Sequence, residues 1–323
     1  MSQAMAIGQS GATTILGTGT HRYQVVHDWP QTPPGLTWGY THGVQVDSAG
    51  RVYIHHQHEQ AVMVFDDAGR FLKSWGAAFR DGAHGMQLRR EGDAEFLYFA
   101  DVARSIVVKT TLDGREVFTL GVPKEAGVYG GDVKYVPTNV AFAPGGDFYV
   151  ADGYGASYLH QYSSDGRYLR TWGGAGSEPG KMRSPHGIWI DTRPGRTPSV
   201  LVADRENNRL QYFSLDGRHL GFVTAELRRP CHFDQRGDEL LIPDLCGRVT
   251  LFDKDNKLVI HLGDNPDPAQ RARPDVPVGA RRDGTFCSPH AACWDHQGNI
   301  YVVEWLLPGR VTKLRRLADE PRA

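Results

Sequence analysis

The sequence predicts an all-β protein that forms a six-bladed β-propeller. Six times along the chain, one residue opens a short run of alternating apolar residues, as expected for a strand with one buried face. We call these the slot residues: His42, His84, Thr138, His186, Cys231 and His290. Successive slot residues are 42 to 59 positions apart, and a repeat of about 40–50 residues is typical of propeller blades.

The internal order of each unit indicates the same fold. In the fourth unit the predicted strands are 187–191, 200–204, 209–213 and 220–223, and the turn 214–217 reads Ser-Leu-Asp-Gly. Similar Asp-Gly turns recur in other units. With 38 glycines and 19 prolines, the composition suits many short strands joined by turns. An irregular β-sandwich is the alternative architecture.

The two ends of the chain are predicted to close the ring. The sixth unit offers strands near 299–303 and 310–314 and then nearly ends, so Tyr23–Val26 is expected to complete its sheet and remove a free edge. The propeller then occupies residues 21–317, with a flexible N-terminal tail at 1–20 and a C-terminal tail at 318–323. The insert 264–285, rich in Pro and Arg, is predicted to be a functional loop over the channel mouth.

Composition excludes several classes of function. A formal net charge of −1 gives no electrostatic reason to expect nucleic acid or a membrane surface. There is no apolar run long enough to span a bilayer and no recognisable signal peptide. The four cysteines lack paired spacing. We therefore expect a reduced, cytoplasmic protein, a monomer or small homo-oligomer, whose partner is a small-molecule or short peptide-like substrate.

Three histidines occupy the slots of alternate blades. His84, His186 and His290 belong to blades two, four and six, which are related by about 120° in a six-bladed ring. Their imidazoles would converge on the channel axis. Three nitrogen ligands with an open position are typical of catalytic zinc, although other divalent ions accept the same set. His42 is predicted to be a fourth ligand, a hydrogen-bond partner of the ligands or a substrate contact.

A second polar ring is predicted where the second strand of each blade ends, on the same face as the slot residues. Its members are His55-His56, Asp101, Asp152, Asp204-Arg205, Asp244 and Glu304. The aspartates are expected to cap turns by accepting backbone N–H bonds. His56 and Glu304 depart from that pattern, and we interpret them as acid–base groups in the mouth. His42, His55, His232 and Asn139 are the candidate substrate contacts.

Several stretches resemble a known enzyme family. They are Pro137-Thr138-Asn139-Val140, Tyr149–Tyr154, Ser184-Pro185-His186 and Ala203–Asn207. The repeat resembles the NHL type, and the order of units is similar to the catalytic core of peptidyl-α-hydroxyglycine α-amidating lyase, most strongly in the third and fourth units. The resemblance implies a catalytic zinc on His84, His186 and His290, a catalytic tyrosine at Tyr154 and an active-site arginine at Arg205.

The chain departs from that family at two positions. An arginine that ends the second strand of the family's first blade is replaced by the run His55-His56-Gln57-His58. The family's aspartate for a structural calcium is Ala291 here, which argues against calcium. The sequence therefore indicates an enzyme that keeps the family's metal and tyrosine but has diverged in substrate.

The leading hypothesis is a metal-dependent lyase, with zinc the expected ion, acting on a small polar or peptide-like molecule with a hydroxyl or carboxylate. The resemblance implies that Tyr154 moves a proton with the help of Arg205, whose planar guanidinium is also suited to a substrate carboxylate. Two alternatives remain open: a metal-dependent, lactonase-like hydrolase, and a non-catalytic NHL scaffold that binds protein or RNA. The near-neutral charge and the inward histidine ring favour an enzyme.

Overall fold

The predicted six-bladed propeller is confirmed. In the computed structural model, which describes residues 13–26 and 29–318, the chain forms six antiparallel sheets. Five sheets have four strands and the sixth has five. Within the described ranges, the helical segments are short 3₁₀ turns: Ala77–Phe79, Lys124–Ala126, Arg205–Asn207, Pro268–Gln270 and Val278–Ala280.

The strands follow the repeat in chain order. Before the first blade come β1 (Ile15–Leu16) and β2 (Tyr23–Val26). Blade one contains β3 (Thr41–Val46), β4 (Val52–His56), β5 (Val62–Phe65) and β6 (Phe71–Trp75). Blade two contains β7 (Ala83–Glu91), β8 (Ala94–Asp101), β9 (Ile106–Thr111) and β10 (Glu116–Leu120). Blade three contains β11 (Asn139–Phe142), β12 (Phe148–Ala151), β13 (Tyr158–Tyr162) and β14 (Tyr168–Gly173).

The second half of the ring has the same order. Blade four contains β15 (Pro185–Asp191), β16 (Ser199–Asp204), β17 (Arg209–Phe213) and β18 (His219–Val223). Blade five contains β19 (Asp234–Arg236), β20 (Glu239–Asp244), β21 (Arg248–Phe252) and β22 (Leu258–Leu262). Blade six contains β23 (Pro289–Trp294), β24 (Ile300–Glu304) and β25 (Arg310–Arg316). The first strands of neighbouring blades lie side by side around the channel, so the slot residues form a ring.

Blade-to-blade packing explains two repeated motifs. Gly114 and Gly217 lie in Asp-Gly turns with φ of 90° and 93°. A Cβ at these positions would lie 2.6 and 2.7 Å from the indole rings of Trp75 and Trp172, which end the preceding blades. Each Trp-Gly blade end therefore packs on the Asp-Gly turn of the next blade, where only glycine fits both the backbone and the space.

The N-terminal strand β2 completes the sixth sheet by pairing with β25, with Tyr23 opposite Arg316 and Val26 opposite Lys313. The flexible tail predicted for residues 1–20 is corrected in part, because Ile15 and Leu16 pair with Gln24 and Tyr23 as a fifth strand. Residues 1–12 and 319–323 lie outside the described residues, so the rest of the tail prediction stays a prediction.

The insert 264–285 packs on blade six beside the channel mouth. Val276 is buried against Cys287 and Leu306, and Leu307 N donates to Pro274 O at 2.8 Å. The insert is thus tied to the segment that follows β24. Among the residues that the structure describes, none forms a helix with the length and apolar character needed to cross a bilayer.

Candidate metal centre

Three imidazoles meet in the channel. The ring centroids of His84, His186 and His290 are 4.7 Å (84 to 186), 4.8 Å (84 to 290) and 4.7 Å (186 to 290) apart. All three side chains are buried. The near-equilateral triangle follows from their places on alternate blades, as the slot spacing predicts.

Each of these imidazoles is held by the same contact to the next blade. The Nδ1 atoms of His84, His186 and His290 lie 2.8 Å from the carbonyl oxygens of Thr138, Cys231 and His42, respectively. A carbonyl oxygen can only accept a hydrogen bond, so each Nδ1 must carry the proton. The Nε2 lone pair of each ring is therefore available to another partner, which is the tautomer that metal-ligating histidines adopt.

In blades two and four a glycine follows the slot histidine and allows a close approach of the next blade, whereas in blade six Ala291 follows His290 and the same contact forms. A Cβ at Gly85 would lie 2.2 Å from Thr138 O, and a Cβ at Gly187 would lie 2.5 Å from Cys231 O. Those are the carbonyls that accept from His84 and His186. The His-Gly pair in the repeat thus has a local reason, because the missing side chain lets the neighbouring blade approach the imidazole.

The hydroxyl of Tyr154 lies against two of the three free Nε2 atoms, 3.2 Å from that of His84 and 3.1 Å from that of His186. A phenol has one proton and can donate to only one of them. Arg205 Nη1 donates to the same oxygen at 3.1 Å. The Nε2 lone pair of either His84 or His186 therefore accepts no hydrogen bond from Tyr154. A buried acceptor without a partner is costly, and a bound cation would remove that cost.

His42 adds a fourth imidazole to the group. Its Nδ1 lies 3.3 Å from His290 Nε2. Since that Nε2 is an acceptor, His42 Nδ1 is the donor, and His42 Nε2 is then a buried acceptor with no partner among the described residues. Ligand atoms of His42, His84 and His290 all lie within 4.8 Å of one another, and the ring of His186 lies 4.7 Å from those of His84 and His290. We favour His84, His186 and His290 as ligands because their Nδ1 atoms share one anchor, whereas His42 uses its Nδ1 on His290.

The donor set fits a divalent cation. The rings of His84, His186 and His290 lie 4.7–4.8 Å apart, each presents an unprotonated Nε2, and imidazole nitrogen is a common ligand of zinc. Burial lowers the pKa of His84 to about 3 and holds the pKa values of His186 and His290 well below their usual range. The imidazoles are therefore neutral at physiological pH, as ligation requires.

Above the imidazoles lies a cavity of about 80 Å³ that we call the mouth pocket. It is lined by His42, Tyr154, Arg205, Arg229, Leu245, His290 and Trp305. Burial raises the pKa of Tyr154, and the positive charge of Arg205 opposes that rise. The pocket therefore joins the imidazole group to a phenol and to two guanidinium groups.

Arg229, Leu245 and Trp305 were not among the residues predicted from the sequence. Arg229 lies two positions before the slot residue Cys231, and Trp305 directly follows Glu304 at the end of β24. Their closeness to slot and second-strand ends is the only sequence signal that marks them. Both positions vary between blades, so the repeat itself does not single them out.

The contacts of Glu304 indicate a structural role rather than the predicted catalytic one. It is fully buried; its Oε1 accepts from Cys287 N at 2.7 Å and Ser288 N at 3.1 Å, and its Oε2 pairs with Arg310. Asp244 makes the equivalent contacts in blade five, accepting from Arg228 N and Arg248. Glu304 therefore ties the segment before its own blade to the second strand, as the aspartates do.

His56 takes the same place in blade one. Its Nδ1 accepts from Gly39 N at 3.1 Å, and its Nε2 donates to Gln60 O at 2.8 Å. Both ring nitrogens are used by backbone groups, and the side chain is fully buried. The structure thus leaves no free nitrogen on His56 for acid–base chemistry in the mouth.

The other candidate contacts lie outside the mouth pocket. His55 packs edge-on against Phe99, with centroids 4.8 Å apart. His232 Nε2 accepts from Gln87 Nε2 at 2.9 Å, and Gln87 lies three residues beyond the slot of blade two, deeper in the channel. Asn139 directly follows slot residue Thr138, and its Oδ1 accepts from Val140 N at 2.8 Å. His232 therefore does not line the mouth pocket, and its substrate contact stays a prediction.

The fold and the repeat agree with known relatives. Human NHL repeat-containing protein 3 is 32% identical over 238 residues, which cover 69% of this chain and 67% of that protein. This chain belongs to the NHL-repeat family. No family model matches this sequence.

Amidating enzymes are also related to the NHL-repeat chain. Peptidyl-α-hydroxyglycine α-amidating lyase 1 of Drosophila melanogaster is 28% identical over 345 residues, covering 91% of this chain and 59% of that protein. Peptidyl-glycine α-amidating monooxygenase B of Xenopus laevis is 33% identical over 171 residues, covering 48% of this chain. That match spans only 18% of the Xenopus protein.

Solved propellers share the fold at low identity. A gluconolactonase from Xanthomonas campestris superposes with a TM-score of 0.62 and 13% identity, covering 95% of each chain. A streptogramin B lyase superposes with a TM-score of 0.61 and 13% identity, covering 87% of this chain and 95% of the lyase. These similarities support the β-propeller fold alone.

Proposed function

We propose that the protein is a metal-dependent lyase that acts on a small polar or peptide-like hydroxy compound in the mouth pocket. The observation that carries the proposal is the hydroxyl of Tyr154, which contacts the free Nε2 atoms of His84 and His186 and the guanidinium of Arg205. Neutral buried imidazoles, the hydroxyl of a partly exposed tyrosine and a fixed positive charge thereby meet at one point of the channel mouth.

His84, His186 and His290 would hold the ion, and His42 Nε2 is the candidate for a fourth ligand. Imidazole nitrogens suit zinc and also other divalent ions of the first transition row, and zinc remains our expectation. When bound, such an ion lowers the pKa of a hydroxyl group and polarises a carbonyl. Calcium is not part of the proposal, because it prefers oxygen ligands and this group supplies imidazole nitrogens.

Tyr154 is the proposed proton-transfer residue. As phenolate it takes the proton of the substrate hydroxyl; the C–O bond becomes a carbonyl as the C–N bond breaks. The departing nitrogen then takes the proton back from Tyr154, so atoms and charge balance. Arg205 donates to the phenolic oxygen at 3.1 Å, which stabilises the phenolate against the burial that raises its pKa.

Relatives and composition support the proposal. The Drosophila lyase that matches most of this chain is named for lysis of peptidyl-α-hydroxyglycine, a compound with a hydroxyl beside a C–N bond. Among the described residues, the lining of the mouth pocket includes no carboxylate, and its imidazoles are assigned to the ion, so Tyr154 is the proposed proton acceptor. All four cysteines are free thiols, which supports our proposal that the protein works in a reducing, cytoplasmic compartment.

The proposal is tested with zinc-loaded protein and two substrate panels. N-acyl-α-hydroxyglycines are scored by glyoxylate release, and simple lactones are scored by acid release. We expect glyoxylate release that is abolished by a chelator and restored by zinc. Lactone opening without glyoxylate release would assign a hydrolase instead. If the protein takes up no stoichiometric zinc and is inactive on both panels, a non-catalytic scaffold is favoured.

A further inference from the structure

We propose that Arg229 forms a carboxylate-binding subsite on the blade-five side of the mouth pocket. The inference deepens the proposed function and rests on it, because it assigns the anionic end of the substrate to a residue outside the imidazole group. It also predicts that the substrate is an acid and that its acid group binds away from Tyr154.

Arg229 has unused hydrogen-bonding capacity next to the cavity. Its Nη2 donates to Glu206 Oε1 at 2.5 Å. Its Nε is buried and has no partner among the described residues, and the side chain as a whole keeps 32% of its exposure. One carboxylate oxygen uses only part of the five N–H donors of a guanidinium, so donors on the exposed part of the side chain remain for an acceptor that enters the pocket.

The mouth pocket carries an excess of positive charge, which favours an anionic ligand. Arg205 Nε donates to Glu206 Oε1 at 2.9 Å, the same oxygen that Arg229 binds. Two guanidinium groups thus share one carboxylate, and one positive charge stays uncompensated. A bound divalent cation would add to that excess. A substrate carboxylate reduces it, and a planar guanidinium is the side chain best suited to bind one.

The backbone at Arg229 is fixed in an unusual conformation. Its φ is 58°, in the left-handed region that a non-glycine residue occupies only at an energetic cost. Arg229 N donates to Asn208 Oδ1 at 3.0 Å, and Arg229 O accepts from Leu245 N at 2.9 Å. These bonds hold the strained residue at the rim, which positions its side chain beside the pocket before any ligand arrives.

The rest of the pocket complements a small acid. Leu245 is buried and Trp305 is half-buried, so both offer apolar surface within the same 80 Å³. The space can hold a carboxylate and its neighbouring atoms, and the rest of a longer substrate would extend out of the pocket. We therefore assign the carboxylate to Arg229 and the apolar part of the substrate to Trp305 and Leu245.

The test compares an acid with its neutral amide. N-acetylglycine and N-acetylglycinamide lack the reacting hydroxyl, so binding to zinc-loaded protein is measured by calorimetry without turnover. We expect wild type to prefer the acid by about 10- to 100-fold, the worth of a charged hydrogen bond. Arg229→Gln should reduce that preference to within about threefold, and Arg229→Lys should keep part of it.

Arg228→Gln is the matched control, because Arg228 adjoins Arg229 but pairs with Asp264 and does not line the pocket. It should keep the full preference for the acid. The inference is overturned if wild type shows no preference for the acid, or if Arg229→Gln keeps it. Failure of the lyase proposal would look different: no glyoxylate release, with acid binding still dependent on Arg229.

Discussion

Lowering the pH from 7 to 5 should destabilise the fold by about 5 kcal/mol, because four buried histidines outside the proposed ligand set must stay neutral. Burial lowers the pKa values of His55 and His160 to about 3 and those of His56 and His232 to about 4. In the unfolded chain they titrate near 6.5. At pH 5 these four histidines are therefore protonated in the unfolded state and neutral in the folded state.

The sign and size follow from proton linkage. A depressed histidine pKa contributes stability that is present above 6.5 and is lost as the pH falls from there towards 4. At pH 5 each histidine costs about 2 kcal/mol. Asp152 and Asp234 act in the opposite direction, because burial raises their pKa values to about 6. Each regains about 1–2 kcal/mol between pH 7 and 5, so the histidines exceed the carboxyls by about 5 kcal/mol.

The assay is urea unfolding followed by tryptophan fluorescence at pH 7, 6 and 5. His160 isolates one contribution, because its ring nitrogens bond to Tyr129 Oη at 2.7 Å and Thr171 Oγ1 at 2.8 Å, away from the imidazole group. His160→Gln should lower the pH sensitivity by about 2 kcal/mol, and His296→Gln, an exposed control, should not. A wild-type change below about 1 kcal/mol, or full sensitivity in His160→Gln, would refute the linkage argument.

The remaining predictions concern single side chains. Tyr154→Phe should reduce turnover by about 10²–10⁴-fold with unchanged zinc content, since the ring packing on His84 and His186 is retained; unchanged turnover excludes it as the proton carrier. Gly187→Ala should lower zinc content and melting temperature by displacing Cys231 O, whereas Gly121→Ala, with nothing within 4 Å of its Cβ, should change neither. Glu304→Gln should lower the melting temperature but leave the pH profile of turnover unchanged; a shifted profile would restore its catalytic role.

The fold was predictable because the same turns and blade-end contacts recur from blade to blade. Slot spacing, Asp-Gly turns and Trp-Gly ends are local sequence patterns, and the structure shows the physical contacts behind them at Gly114 and Gly217. The convergence of His84, His186 and His290 followed from ring symmetry alone. The short strand at Ile15–Leu16 was missed, because two residues give no periodic pattern.

The roles of His56 and Glu304 were not predictable from residue type. Both look like acid–base groups in a list of polar residues, yet both replace the capping aspartate of the other blades and bond to the backbone. Their position in the repeat was the better guide. Arg229 was missed because its proposed role depends on a carboxylate shared with Arg205 and on a left-handed backbone conformation. Neither feature can be read from sequence spacing.

The most direct test of the account is the metal content of the purified protein and of His186→Ala, measured by elemental analysis alongside His296→Ala. Wild type and the exposed control should carry about one divalent ion per chain, and His186→Ala should carry almost none. The melting temperature of His186→Ala should also fall, because an ion that binds only the folded state stabilises it. Equal metal content in wild type and His186→Ala would contradict the assignment of the three slot histidines as ligands.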